Sequence, residues 1–290
     1  MARDYILQAN GLPILLRTFS ATLKYHHQKN IVWAVRTLCK VKPPPPAHLI
    51  STVVPFCVSL LNGGSLVDVD VCSLLSTVWR VHEELIPEEL IPTLCKKAVS
   101  IILRRGFPQN KPAIKVVGHT VACKSRIDIA ISCGALVALN SLLKCRNASI
   151  RRETCKVISQ ITSGAVCHIE SVFEAGLIDS IMPLTSDSRA AQVIANVVKY
   201  GDSSQIQRIV AKGGISCLCQ QLINLTEYEV VLAVLEAIEK LTHGYLINLT
   251  DIEKMCLESL TCHIDPSISQ TAKSCWKIVT EPFFQQLSNA

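Results

Sequence analysis

The chain has 290 residues, 49% of them hydrophobic and 18% charged, with a formal net charge of +6. That balance excludes disorder, which needs low hydrophobicity and high charge, and implies elements buried on more than one face. The basic residues are spread rather than run together, so nucleic-acid binding gains only slight support and no nucleic-acid partner is expected.

Taken in chain order, Met1-Ala2-Arg3-Asp4-Tyr5 lacks the basic and apolar regions of a secretory signal, which places the expected location in cytoplasm and nucleus. Gly11-Leu-Pro-Ile-Leu-Leu16 opens the first recurring unit, a glycine followed by a leucine-rich turn of helix. Pro43 to Pro46 breaks any helix and marks a repeat junction, the sharper alternative being a ligand for a proline-recognition module. Ala98 to Leu103 is the strongest apolar stretch, but Lys96, Lys97, Arg104 and Arg105 flank it. No membrane span of about 18 uncharged apolar residues is therefore expected.

Units like the first open at Gly134, Gly176 and Gly214, about 40 residues apart, a period typical of helical repeat proteins. Second helices lie between them, Glu153 to Thr162 before Ser163-Gly164 and Ala190 to Tyr200 before Gly201-Asp202, and each glycine suits a helix C-terminus in the left-handed conformation. Arg151-Arg152-Glu153 reads as a helix start with Ser149 as its N-cap. Strand signals are nearly absent, so the chain reads as all-α, its units stacking because none can bury its apolar face alone.

The 14 cysteines are scattered singly through apolar stretches and read as reduced core residues; Cys217 and Cys219 lack the second pair a zinc site needs. The sequons at Asn147, Asn224 and Asn248 carry no weight without a secretory route. No G-x-S-x-G, H-E-x-x-H, P-loop or dinucleotide fingerprint occurs, so neither catalysis, nor a cofactor, nor a metal is expected.

Several segments resemble the armadillo domain of the importin-α family. Arg3 to Gln8 before Gly11-Leu-Pro looks like the third helix of one family repeat, and Asn30 to Pro46 like the next unit's Trp-bearing helix with its proline turn. Pro112 to Ala122, Ser149 to Gly164 and Gln205 to Val210 are similar to family helices, and Asp251 to Phe284 fits the C-terminal repeat. The resemblance implies a right-handed α-solenoid of armadillo repeats, a single domain over 1–290 of about seven partial or complete repeats. It starts within the third family repeat, and no importin-β-binding segment is among these residues, which leaves recruitment of importin-β doubtful. An export factor is implied as a partner at the C-terminal repeat.

The family binds nuclear-localisation signals by a ladder of Trp and Asn four residues apart on each inner helix: indoles sandwich Lys or Arg stems, and Asn amides hold the peptide backbone. Carried over, the Trp positions here are Trp33, Ser73, Lys115, Lys156, Gln192 and Glu236, and the Asn positions Thr37, Thr77, His119, Gln160, Asn196 and Lys240. The peptide-binding residues implied are Trp33, Thr37, Glu153, Gln160 and Asn196, with Glu153 in a family acidic position. Trp33 alternatively reads as an ordinary half-buried aromatic. Trp79 and Trp276 fall off the ladder and read as core; His119 reads as a satisfied inner-face residue.

The expected function is thus an importin-α-like adaptor binding cargo signals with weakened affinity. The alternative is a scaffold that keeps the solenoid and binds a non-basic partner, to which Lys115, Lys156 and Lys240 are suited.

Overall fold

The computed structural model describes residues 2–20, 22–40, 42–62, 67–104, 110–184, 188–222, 227–244 and 249–288. Among them every regular element is helical and no strand occurs. The chain divides into two units, Met1–Ser141 and Leu142–Ala290, where one domain over 1–290 is expected from the sequence.

The first unit contains α1 (Ala2–Gln8), α2 (Gly11–Thr18), α3 (Tyr25–Lys40), α4 (Ala47–Ile50), α5 (Val53–Asn62), α6 (Asp68–Val81), α7 (Ile91–Arg104), α8 (Lys111–Ala122), α9 (Ile127–Ser132) and most of α10 (Ala135–Leu143). Long helices carry the core. On α3, Val32, Val35 and Cys39 recur at helical spacing and are buried; Val71, Leu74, Leu75 and Val78 do the same on α6, and Val116, Val117 and Val121 on α8. These faces meet as α3 packs against α6 and α6 against α8. Each fully buried aliphatic side chain contributes about 1.5–3 kcal/mol.

Two features at the start of this unit depart from the sequence reading. Arg3 to Gln8 lies in α1, the first and shortest of a three-helix unit whose long helix is α3, and is not a third helix. The left-handed residue before α2 is Asn10 (φ 57°), not Gly11; Gly11 is small because a Cβ there would meet the Ile6 side chain at 2.6 Å. The proline turn is packed as a junction: Pro45 is buried, and its carbonyl lies 2.8 Å from His82 Nε2 at the end of α6.

The second unit continues with α11 (Ala148–Thr162), α12 (Val166–Glu174), α13 (Leu177–Ile181), α14 (Ser188–Tyr200), α15 (Ser203–Ala211), α16 (Gly214–Leu222), α17 (Tyr228–Gly244), α18 (Asp251–Thr261) and α19 (Pro266–Ser288). Here α11, α14, α17 and α19 pack side by side in that order, and α12–α13 and α15–α16 are the short pairs leading into α14 and α17. Gly176 (φ 67°) and Gly213 (φ 76°) take the left-handed conformation at helix junctions, as Gly134 (φ 83°) does in the first unit, whereas Gly164 and Gly201 do not. Gly201 is instead hemmed in by the Val197 carbonyl, 2.5 Å from where a Cβ would stand.

The N-cap of α11 is Asn147 rather than Ser149: its Oδ1 accepts from the amides of Ser149 (2.9 Å) and Ile150 (3.4 Å). Asn147 is thereby a structural residue, while the sequons at Asn224 and Asn248 and the charge of Arg105 lie outside the described residues.

Candidate functional site

Within each unit, residues four apart on the long helices form the candidate row. On α3, Trp33 is 62% exposed and Thr37 is exposed one turn along. The Thr37 hydroxyl donates to the Trp33 carbonyl (2.9 Å), and Thr77 does the same to Ser73 on α6 (2.8 Å). A threonine here satisfies its hydroxyl on its own helix, where an asparagine amide would be offered outward.

On α8, Lys115 is exposed and His119 half-buried. The His119 ring lies 3.2 Å through Nε2 from Ser76 Oγ and stacks on the Trp79 indole with centroids 5.8 Å apart. Trp79 is 3% exposed, a core residue as expected, and His119 is satisfied within the protein. Trp33 and Thr37 are therefore placed together in the first unit, while Glu153, Gln160 and Asn196 belong to the second.

In the second unit Glu153 and Gln160 are half-buried and Lys156 exposed, all on α11. Asn196, on α14, is only 8% exposed. Its Oδ1 accepts from Gln192 Nε2 (3.1 Å), and its Nδ2 donates to the Ser159 carbonyl of α11 (2.7 Å). The amide thus bridges two packed helices. On the next step Lys199 pairs with Glu236 (3.0 Å), and Lys240 donates to the Val198 (2.7 Å) and Lys199 (3.4 Å) carbonyls at the end of α14. That is a cation serving a helix C-terminus, so Lys240 is not a spare charge for a ligand. Glu227 gathers Arg152 and Arg189 in the same way, from α11 and α14.

Sequence reasoning misplaced one residue. Cys275 Sγ lies 3.7 Å from the Leu235 carbonyl, which registers α19 against α17 with an offset of 40 residues. This places Cys275 in the seam between the two helices. Trp276 is half-buried rather than core, and Thr280 donates to its carbonyl (2.8 Å), repeating the Trp33–Thr37 arrangement. The signal was available as the shared W-x-x-x-T spacing.

The thiols do not belong to this face. Burial pushes Cys39, Cys72, Cys95 and Cys275 up to about 12, and Cys57 and Cys219 are also raised by burial. Cys123 is the exception, held below its ordinary value by Ser125, whose hydroxyl lies 3.0 Å away. Among the described residues no group of three His, Cys, Asp or Glu could hold a metal, and no single helix is long and apolar enough to cross a membrane.

Units of short helices leading into a long inner helix, stacked through those inner helices, define an α-solenoid of armadillo repeats. Solved structures of the same fold include an engineered protein (TM-score 0.75, 18% identity, 96% of this chain and 70% of that one). They also include computationally designed armadillo repeat proteins for modular peptide recognition (TM-score 0.62, 20% identity, 77% of this chain and 98% of that one). A designed armadillo repeat protein in complex with the peptide (KR)4 matches at TM-score 0.55 and 17% identity, over 92% of this chain and 99% of that one.

Particular relatives follow from the sequence. The chain is similar to importin subunit alpha-4 of Arabidopsis thaliana, 28% identical over 80% of this chain and 44% of the relative. It is also similar to importin subunit alpha-1a of Oryza sativa subsp. japonica, 28% identical over 62% of this chain and 35% of the relative. The chain thus spans less than half the length of these two curated relatives, and no family model matches it. The resemblance to the importin-α armadillo domain is borne out as a divergent one.

Proposed function

We propose that this chain is an importin-α-like adaptor, a binding protein without catalysis that takes extended segments of partner proteins along its inner helices and works between cytoplasm and nucleus. The observation that carries this is Trp33: an indole 62% exposed in water, on the long helix of its unit, in the position to which the resemblance to the importin-α family assigns peptide contact. An exposed large aromatic beside polar Thr37 suits a ligand better than a core. Nuclear-localisation-signal cargo is the partner the relatives suggest, and the export factor the one for the C-terminal repeat.

Affinity for a basic signal should be weak, because Ser73, Lys115, Lys156, Gln192 and Glu236 occupy Trp positions and Asn196 is committed to α11. Glu153 and Gln160 remain half-buried on α11 as a polar contact for a peptide backbone. The test is fluorescence-anisotropy titration of the folded chain with a lysine-rich bipartite signal peptide at low and physiological salt. Saturable binding weakened by Trp33→Ala supports the proposal; binding indifferent to that change counts against the face.

A further inference from the structure

The inner face of the first unit has the wrong charge for a basic signal. Helices α3, α6 and α8 together carry six Lys and Arg, two Asp and no Glu. Of the two acids, Asp68 is buried and faces Arg104 of α7 (3.5 Å), and Asp70, three residues before Ser73, is half-buried. The cations instead collect on that row. Lys29, Trp33, Arg36 and Lys40 stand at i, i+4, i+7 and i+11 along α3, which is one stripe of a helix. Arg80 lies seven residues after Ser73 on α6, and Lys115 stands at the corresponding row position on α8, where the family also carries a basic residue.

These charges are also uncommitted. Lys29, Lys40, Arg80 and Lys115 are exposed and make no ion pair among the described residues. Arg36 Nε is buried with no hydrogen-bond acceptor among them, a donor still lacking its partner. The second unit shows the contrast, since Lys199, Lys240, Arg152 and Arg189 are there tied to Glu236, to helix-end carbonyls and to Glu227.

We propose that the α3–α6–α8 face binds an extended acidic peptide segment, with Asp or Glu carboxylates against Lys29, Arg36, Lys40, Arg80 and Lys115 and one apolar or aromatic side chain on the Trp33 indole. This rests on the reading of the face as a peptide groove and reverses the charge of its ligand. The exposed Lys29, Lys40, Arg80 and Lys115 supply a field that steers a carboxylate to this face. The exposed aromatics of this face sit on α3 alone, without the succession of stacking platforms that a nucleic-acid strand uses.

The experiment titrates the full chain by anisotropy with an acidic, a neutral and a basic labelled peptide of one length, each carrying one tryptophan, and with a single-stranded oligonucleotide. The acidic peptide is expected to bind best and to weaken with salt. Lys29→Glu with Lys115→Glu, two exposed changes whose folding is checked by circular dichroism, should weaken it about tenfold or more and improve the basic peptide. A basic peptide preferred by the unaltered chain, or acidic binding indifferent to the charge reversal, overturns this proposal and leaves the groove reading intact. No binding of any peptide by a folded chain overturns both. An oligonucleotide that displaces the acidic peptide at equal charge overturns the peptide as occupant.

Discussion

Trp33 and Asn196 carry the same label in the sequence and opposite roles in the structure. The indole is exposed and touches little, so Trp33→Ala should leave thermal stability nearly unchanged, within about 0.5 kcal/mol, while weakening peptide binding. Asn196 bridges Gln192 and the Ser159 carbonyl in a nearly closed seam, so Asn196→Ala should cost about 1 kcal/mol by removing that bridge, the carbonyl keeping the Ser163 amide and the Thr162 hydroxyl. Denaturant melts of the two variants beside their peptide titrations read both effects. Equal stability losses would contradict the division of roles. Sequence spacing named both positions, but whether a side chain faces outward or into a helix seam depends on the neighbouring helix, which one residue's type does not report. Trp276, expected in the core, is half-buried for a related reason: burial depends on the neighbouring helix.

Among the elements, helix ends were half legible. The long helices follow from apolar spacing and the glycine junctions, yet Gly164 and Gly201, expected in the left-handed conformation, do not take it. Ser149 gave way to Asn147 because the cap is decided by which oxygen reaches the free amides. Asn147→Ala should therefore destabilise the protein by about 1 kcal/mol and Ser149→Ala by clearly less, as denaturant melts would show. The packed helices also set a pH dependence. Cys39, Cys72, Cys95 and Cys275 are held neutral in the fold up to about 12, against an ordinary 9.0 once unfolded. Above about pH 9 the unfolded chain ionises these thiols and the native one does not. The contribution of these thiols to stability is therefore full at neutral pH and falls as pH rises between about 9 and 12. Melts across that range with Cys39→Ala and Cys72→Ala should show a shallower decline; an unchanged slope would contradict this cause.

At the scale of the whole molecule, hydrophobic content with low charge and a period of about 40 residues were enough to indicate stacked helical units. The division at Ser141 and Leu142 was not legible, because apolar periodicity continues through both sides of it. The charge of the candidate face was likewise hidden in a mild net value of +6, since it depends on which cations find carboxylates after folding. In the second unit Arg152, Arg189 and Lys199 do, and in the first Lys29, Lys40, Arg80 and Lys115 make no ion pair among the described residues. The chain is accordingly expected to bind one extended segment of a partner through the row that begins at Trp33.

The most direct test is the set of indole nitrogen–proton NMR signals, one each from Trp33, Trp79 and Trp276, assigned by single substitution and followed as the acidic and basic peptides are added. Binding on the inner face predicts a saturable shift of the Trp33 signal while that of Trp79, buried against His119, stays in place. A peptide that binds the folded chain and leaves the Trp33 signal where it was would contradict the account.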